Sequence, residues 1–482
     1  MFLNNNKNLS YEEIKINSPR VVRALTDGNY DCVQSVYELI DNSIDASASK
    51  ATVNIKGGEG GVTSIVVSDN GSGFKNDQDL KDCLILGNDR ERELQEISEF
   101  GVGLKVGCLA QGDSLTIVSK TSEQQCIAVN VRREDFKFCA LEADVAEKLW
   151  QEFHSEPESR TGTVIIVSEL NKKHSYFRGK NSKKNLSKKL KEQLGQRYFQ
   201  LIQKQNIQLY VTVNGGRKDG GPVQPNDPLC RNEEGVSEAL LATDFAYKDI
   251  PYRLTATDLG PLSSNSRYGL YISVAGIMIC RDEKSMLGIH SENASHSHHW
   301  NQSILIEFET KKDLLQIASL ASNKHDVKLD DSGFSDHLKD KLKPTTDELK
   351  RLCISRSEEK KARQNTKDKE TINKNLLQAI KQKRNYPNLD MYELVKNIDD
   401  IEHDSYSHAR VGRFCSSGKR LVINTNSTAF GPVFRTQNCS LNKSNYVDGL
   451  CTAIAHAAAD ENQNFDFWEL DALRLNIRSE IM

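Results

Sequence analysis

Residues 36–47 read VYELIDNSIDAS. On a helix this stretch puts Glu38, Asn42 and Asp45 at i, i+4 and i+7, on one face. Leu39, Ile40 and Ile44 fall toward the other side and belong in a core. A helix that aims a carboxylate and a carboxamide together can polarise water and ligate a hard cation. Mg²⁺ takes oxygen ligands and keeps several waters, so one Asn oxygen plus phosphate oxygens suffices. The same spacing also describes an ordinary solvated helix face, so the stretch needs company.

Two further stretches supply it. Residues 64–74 read SIVVSDNGSGF, a β-rich run that delivers Asp69 into a turn carrying Gly71 and Gly73. A carboxylate at a strand end can accept a hydrogen bond from the exocyclic amine of adenine, and glycines let backbone approach a flat ring. Alone, the turn also reads as a D-N-G hairpin. Residues 98–107 read SEFGVGLKVG, with Gly101 and Gly103 ahead of an apolar, helix-like run. A glycine-rich loop feeding a helix N-terminus offers free N–H groups to phosphates, and Lys105 adds charge. The chain has no G-x-x-x-x-G-K-[ST]. The third glycine falls one place late for the G-x-G-x-x-G dinucleotide fingerprint, and no strand directly precedes it.

Around these motifs the first 195 residues mix helix and strand patterns. VVRAL and DCVQSVYELIDNSIDAS have helical spacing. ATVNIKG, GVTSIVVSD, DSLTIVSK, CIAVNVRRE and GTVIIVSEL read as short strands. Hairpin-length turns between them favour a mixed, largely antiparallel sheet with helices on one face, not a doubly wound fold. Residues 196–335 start a second unit with strands in IQLYVTVNGG, GLYISVAGIMICR and SILIEFE, to which LATDFAYKD and PYRLTATDL add others. Residues 336–386 read as a charged helical linker or arm, with Pro344 as a start or break. Residues 387–482 return to globular composition, with a strand in RLVINTNS and a small-residue helix in VDGLCTAIAHAAADE.

Composition narrows the class. At 482 residues the chain exceeds one compact core. No run of about 18 apolar residues occurs, which excludes a transmembrane helix, and the N-terminus lacks a secretory pattern. Eleven cysteines, scattered singly with no C-x-x-C pair, fit reduced cytoplasmic thiols. The net charge of −3 hides two basic runs. Residues 172–197 hold 10 Lys/Arg against one acid, and residues 339–384 hold 15 against seven. Either could track a phosphate backbone, and either could be a solvated helix face. Aromatic interleaving is sparse, which disfavours base stacking. The crowded His290, His296, His298 and His299 match no structural zinc spacing.

The three motifs, in this order and spacing, resemble the GHKL superfamily of ATPases: gyrase B, heat-shock chaperones of the ninety-kilodalton class, histidine kinases, MutL and the Morc proteins. ELIDNSIDA resembles the N box, DNGSGF the D-x-G-x-G box, and FGVGLKVG the glycine-rich lid box. Arg160-Thr161-Gly162-Thr163 followed by VIIV resembles the late G-T strand. The resemblance covers roughly residues 20–170. It implies a Bergerat-type ATP-binding α/β sandwich (1–195), a transducer-like α/β domain (196–335), the charged arm (336–386) and a small C-terminal α/β domain (387–482). It implies ATP and Mg²⁺ as cofactors. Glu38 becomes the general base, Asn42 the Mg²⁺ ligand, Asp69 the reader of the adenine amine, and Thr163 its support. Gly73 lines the base. Gly101, Val102, Gly103, Leu104 and Lys105 wrap the phosphates, with Asp45, Ala46, Gly71 and Phe100 also in the nucleotide site. Residues 87–100 become the ATP lid.

Within the superfamily, ELIDN with a G-L-K-x-G lid end is most similar to Morc-type ATPases. The MutL lid sequence G-F-R-G-E-A is absent. Neither a phospho-acceptor histidine before the N box nor a strand-breaking tyrosine domain is evident. ASNKHDVKL (321–329) resembles the Morc transducer loop, which assigns Lys324 to the γ-phosphate. The implied function is ATP hydrolysis coupled to homodimerisation, closing a clamp on nucleic acid through the basic segments. The alternative is a chaperone-like or effector-regulating component acting on a protein partner, in a prokaryotic antiviral defence system. Neither involves a membrane.

Overall fold

The computed structural model describes residues 18–27, 31–85, 103–122, 125–156, 159–231, 236, 239–260, 268–283, 302–320, 327–329, 331–382, 400–405, 411–415, 420–435, 440–460 and 474–475. The fold is mixed α/β. The chain divides into two compact units, Met1–Leu349 and Lys350–Met482.

The first unit begins with α1 (Ser18–Thr26) and α2 (Cys32–Asp45). It then builds an eight-stranded sheet from β1 (Lys50–Gly58), β2 (Gly61–Asp69), β3 (Gly112–Lys120), β4 (Ile127–Arg132), β5 (Lys137–Ala140), β6 (Gly162–Leu170), β7 (Gln208–Val213) and β8 (Gly216–Pro222). Their order is β5-β4-β3-β6-β2-β1-β7-β8. Every pairing is antiparallel except β1 with β7, which is parallel. Strand β2 shows how the pleat sorts side chains. Ile65 and Val67 enter one core with Val53, Ile55 and Val36, whereas Val66 enters another with Val118 and Trp150.

Helices α2, α4 (Gly103–Gln111) and α6 (Ser182–Arg197) cover the first face. The short α3 (Asp77–Asp82) follows β2 and contributes Leu80 to the same core. The expectation of helices on one face holds for these but not for α5 (Ala143–Phe153), whose Ala146 and Trp150 pack on the opposite face. Both faces of β2, β3 and β6 carry apolar residues, so both demand a cover. Trp150 is fully buried, and truncating such a side chain costs about 3–5 kcal/mol.

The expected break at 195/196 does not coincide with the edge of the sheet. The strand in IQLYVTVNGG, assigned from sequence to the second unit, is β7 and pairs residue by residue with β1, from Lys50–Gln208 to Ile55–Val213. Parallel pairing between strands some 150 residues apart leaves no local pattern to read.

After α7 (Phe199–Gln203) and the β7–β8 hairpin, a second sheet forms from β9 (Leu241–Tyr247), β10 (Ile250–Asp258), β11 (Gly269–Val274), β12 (Ile277–Glu283) and β13 (Gln302–Phe308). Its order is β12-β11-β13-β10-β9. One face packs on α8 (Lys311–Leu315) and on Phe334, Leu338 and Leu342 of α9 (Ser332–Gln382). The other meets Phe199 and Leu229. The charged arm is therefore one 51-residue helix, and Pro344 lies inside it rather than at its start or break. A proline there removes one helical N–H. The hydroxyls of Thr345 and Thr346 both donate to the Leu342 carbonyl, which gives local polar support beside that gap.

The second unit is a three-stranded sheet of β14 (Asp400–Asp404), β16 (Arg420–Asn424) and β15 (Gly412–Cys415), in that spatial order. The small-residue helix Lys443–Asp460 buries Val447, Leu450, Ala453, Ile454 and Ala457 against it.

Candidate nucleotide site

Helix α2 is started by a reciprocal cap. Asp31 Oδ1 accepts from the Gln34 amide at 2.8 Å, and Gln34 Oε1 accepts from the Asp31 amide at 3.0 Å. The helix lies against α4, where Ser35 Oγ donates to the Gly107 carbonyl at 2.8 Å. Three residues on from Ser35, Glu38 is 2% exposed and lies against Gly103, the first residue of α4. A Cβ at Gly103 would fall 1.9 Å from Glu38 Oε2. The carboxylate thus sits at a helix N-terminus, where main-chain N–H groups lack helical partners and the helix dipole favours negative charge. Leu39 and Ile40 are buried and Ile44 packs partly against the same core, as the spacing predicts.

This contact makes Gly103 a sharp probe. Gly103→Ala must push the Glu38 carboxylate aside. The side chain is flexible at that end, so the fold tolerates the change. Misplacing a reacting group by 1 Å costs about 10²-fold. If Glu38 is the general base that the resemblance implies, ATP turnover of Gly103→Ala is expected to drop by that order while ATP affinity changes far less, and turnover at the parent rate would contradict that role.

One turn further along α2, Asn42 is half-buried. Among the described residues its side-chain amide makes no hydrogen bond, so its oxygen remains available to a ligand. Asp45 and Ala46 end the helix, and the Ala46 carbonyl accepts from the Ser72 amide at 3.0 Å. That bond ties α2 to the turn after β2.

Asp69, the last residue of β2, is 6% exposed. Its Oδ1 accepts from the Gly71 amide at 2.9 Å and its Oδ2 from Ser43 Oγ at 3.0 Å. Thr163 sits beside it in register across β2 and β6, and its backbone also hydrogen-bonds the carboxyl. Burial raises the Asp69 pKa above the usual carboxylate value, and the Gly71, Ser43 and Thr163 bonds only partly offset this. Gly73 has φ +69°, and a Cβ there would fall 2.4 Å from the Lys120 carbonyl. Only glycine fits that turn.

Three residues of this neighbourhood carry no signal in the motif reading. Ser43 bridges the Leu39 carbonyl and Asp69. Ser119, fully buried, accepts from the Phe74 amide at 2.7 Å and holds the glycine turn in place. His154 Nε2 lies 2.8 Å from the Asp69 carbonyl oxygen, with its ring stacked on Trp150. Ser43 could have been found, because it adjoins Asn42 on a helix already assigned to the site. His154 could not, since nothing local ties it to Asp69.

The remaining expectations divide. Gly103, Leu104 and Lys105 open α4, as a glycine loop feeding a helix requires. Lys105, however, is 2% exposed, and its Nζ donates to the Cys83 and Ile85 carbonyls, each at 2.7 Å. A buried ammonium needs acceptors, and the carbonyls just after α3 supply them. Phe100, Gly101, Val102, the lid at 87–100, Lys324 and the His290–His299 cluster lie outside the described residues.

The basic run at 172–197 is less available than its charge count suggests. Arg197 is 1% exposed. Lys172 donates to the Val62 carbonyl, Lys183 to those of Gly57 and Gly58, and Lys189 pairs with Asp31. Lys173, Arg178, Lys180, Lys184 and Lys188 stay exposed. Among the described residues no helix is long and apolar enough to cross a membrane.

No curated protein sequence matches the chain. A solved structure titled "Crystal Structure of N terminal domain of a DNA repair protein" aligns with a TM-score of 0.44 at 16% identity, over 69% of this chain and 98% of that one. Residues 30–163, which run from the cap of α2 to Thr163, match the family model described as histidine kinase-, DNA gyrase B-, and HSP90-like ATPase, and this supports a GHKL-type ATPase module in that part of the chain.

Proposed function

We propose that the chain is an ATP hydrolase whose two copies close on ATP binding and clamp a nucleic acid, in the manner of Morc-type ATPases. The observation that carries the reading is the buried Glu38 carboxylate set against the N-terminus of α4, on the helix that also holds Asn42. Asp69 would accept the adenine amine, with Gly71, Ser43 and Thr163 holding its carboxyl in place. Asn42 and the first turn of α4 would meet the phosphate side. The Asn42 amide, which makes no hydrogen bond among the described residues, fits a Mg²⁺ ligand, and Mg²⁺ when bound would neutralise phosphate charge. Glu38 would orient the attacking water and take its proton. The second sheet would serve as the transducer domain, with Lys324 closing on the γ-phosphate.

The nucleic-acid part of this reading rests on charge. Residues 339–384 carry a net charge of +8, fifteen basic residues against seven acidic. Lys360, Lys361 and Arg363 stand exposed on α9. Affinity for duplex DNA is expected to fall by about 10³ or more between roughly 50 and 200 mM salt if six or more phosphates are contacted. Changing Lys360, Lys361 and Arg363 together to Glu should flatten that dependence and weaken binding uniformly across sequences, because such contacts position and do not read bases. DNA-independent turnover should stay unchanged. A triple variant that binds as the parent does, or a parent that binds no DNA at low salt, favours the protein-partner alternative.

A further inference from the structure

Helix α2 has a second polar face. Tyr37 and Asp41, four residues apart, each precede a nucleotide-site residue, so they point about 100° away from Glu38 and Asn42 on the same rigid rod. Asp41 is 1% exposed and Arg197, at the end of α6, is 1% exposed. Arg197 Nη2 donates to Asp41 Oδ2 at 2.8 Å, and its Nη1 donates to the Met278 carbonyl of β12 at 2.9 Å. Its Nε donates to the Tyr198 hydroxyl, which in turn donates to Asp41 Oδ1 at 2.7 Å. The guanidinium also lies 4.7 Å from the centre of the Tyr37 ring. Arg281, also on β12, donates to the Tyr37 hydroxyl at 2.8 Å.

A buried Asp–Arg pair is a poor device for stability, since apolar packing of similar volume does as well or better. What such a pair supplies is a fixed geometry, because the rigid, planar guanidinium fork holds its separate acceptors, here Asp41, the Met278 carbonyl and the Tyr198 hydroxyl, in one arrangement. Here it fastens the helix of the nucleotide site to the edge strand of the second sheet through one side chain. We infer that Arg197, with Asp41, Tyr198 and Arg281, is a positioning group that transmits the nucleotide state of α2 to β12. The inference rests on the ATPase reading above. Any shift of α2 that accompanies ATP binding at Glu38 and Asn42 turns Asp41 and Tyr37 with it, and the guanidinium passes that movement to Met278.

The test compares the full chain with three variants: the apolar pair Asp41→Leu/Arg197→Met, Tyr198→Phe, and Arg281→Gln. The apolar pair avoids leaving one charge buried alone, and the two single variants remain if it does not fold. ATP affinity, ATP turnover and hydrogen exchange of the Ile277–Glu283 amides are measured with and without ATP. In the parent, ATP should change exchange in β12. In the variants that change should shrink or vanish, turnover should fall within the ~5–150-fold span of ordinary coupling, and affinity should stay within several-fold. A merely structural role would alter exchange equally with and without ATP. A parent that binds ATP while β12 responds equally in parent and variants, or in neither, overturns this inference alone. A parent that binds no ATP overturns the ATPase reading and this inference with it.

Discussion

Glu38→Ala is expected to lower ATP turnover by about 10²–10⁴-fold, the range for loss of a general base, while leaving ATP affinity nearly intact. Glu38 is buried on the face of α2 that meets the first turn of α4, and Asn42 follows one turn later. In the proposed reading the carboxylate would lie at the phosphate end of the nucleotide, away from an adenine at Asp69. Losing it removes proton acceptance in the transition state and little ground-state binding, so the loss falls on kcat more than on KM. Glu38→Gln separates chemistry from packing, because the amide keeps the volume and cannot take the proton. In the clamp reading both variants also accumulate a closed, ATP-bound dimer, visible as a doubled mass. Unchanged hydrolysis in either variant contradicts the assignment.

Asp69→Asn is expected to weaken ATP binding by roughly ten- to a hundredfold or more without unfolding the chain. The amide can be accommodated. Its oxygen can accept from the Gly71 amide, and its NH₂ can donate to Ser43 Oγ, which turns its own hydrogen to the Leu39 carbonyl at 3.0 Å. The same orientation presents a donor where the adenine amine also donates. Leaving such buried groups mismatched costs about 1–3 kcal/mol, more when a charge is lost, or roughly ten- to a hundredfold and beyond in affinity. The pH dependence is a separate check. Burial raises the folded-state pKa of Asp69 above its unfolded value, so the folded chain holds this proton more tightly. The parent thus loses stability as pH climbs from the unfolded carboxylate range through the raised folded value, and the Asp69→Asn variant lacks that slope. The melting temperature of Asp69→Asn relative to the parent should therefore rise between acid and neutral pH. A flat difference contradicts a raised Asp69 pKa.

The nucleotide motifs were legible because each is local. Glu38 and Asn42 are one turn apart on a helix whose apolar positions, Leu39 and Ile40, are buried as their spacing requires. Gly73 announces its positive φ by being glycine in a strand-end turn. What joins these pieces is not local. Thr163 meets Asp69 only through the β2–β6 pairing, and a resemblance, not periodicity, brought it forward. His154, Ser119 and the Asp41–Arg197 pair come together through tertiary packing across dozens to some 150 residues. Arg197 shows the opposite error. In sequence it closes a basic run, yet the fold buries it, where Asp41 and the Met278 carbonyl accept from its guanidinium. Lys105 departs for the same reason, being satisfied by the carbonyls after α3.

Equilibrium binding of ATP to the full chain in Mg²⁺, with GTP as competitor, tests most directly whether the site around Asp69 takes ATP by its adenine. In the proposed reading Asp69 would accept the exocyclic amine of adenine, whereas guanine would turn a carbonyl oxygen toward the same carboxylate. Sites built around a substrate donor reject analogues that lack it by factors of up to about 10⁴–10⁵. The account predicts saturable binding of one ATP per chain that a hundredfold excess of GTP, roughly two decades inside that range, does not displace. No binding of ATP, or displacement by GTP at equal concentration, would contradict it.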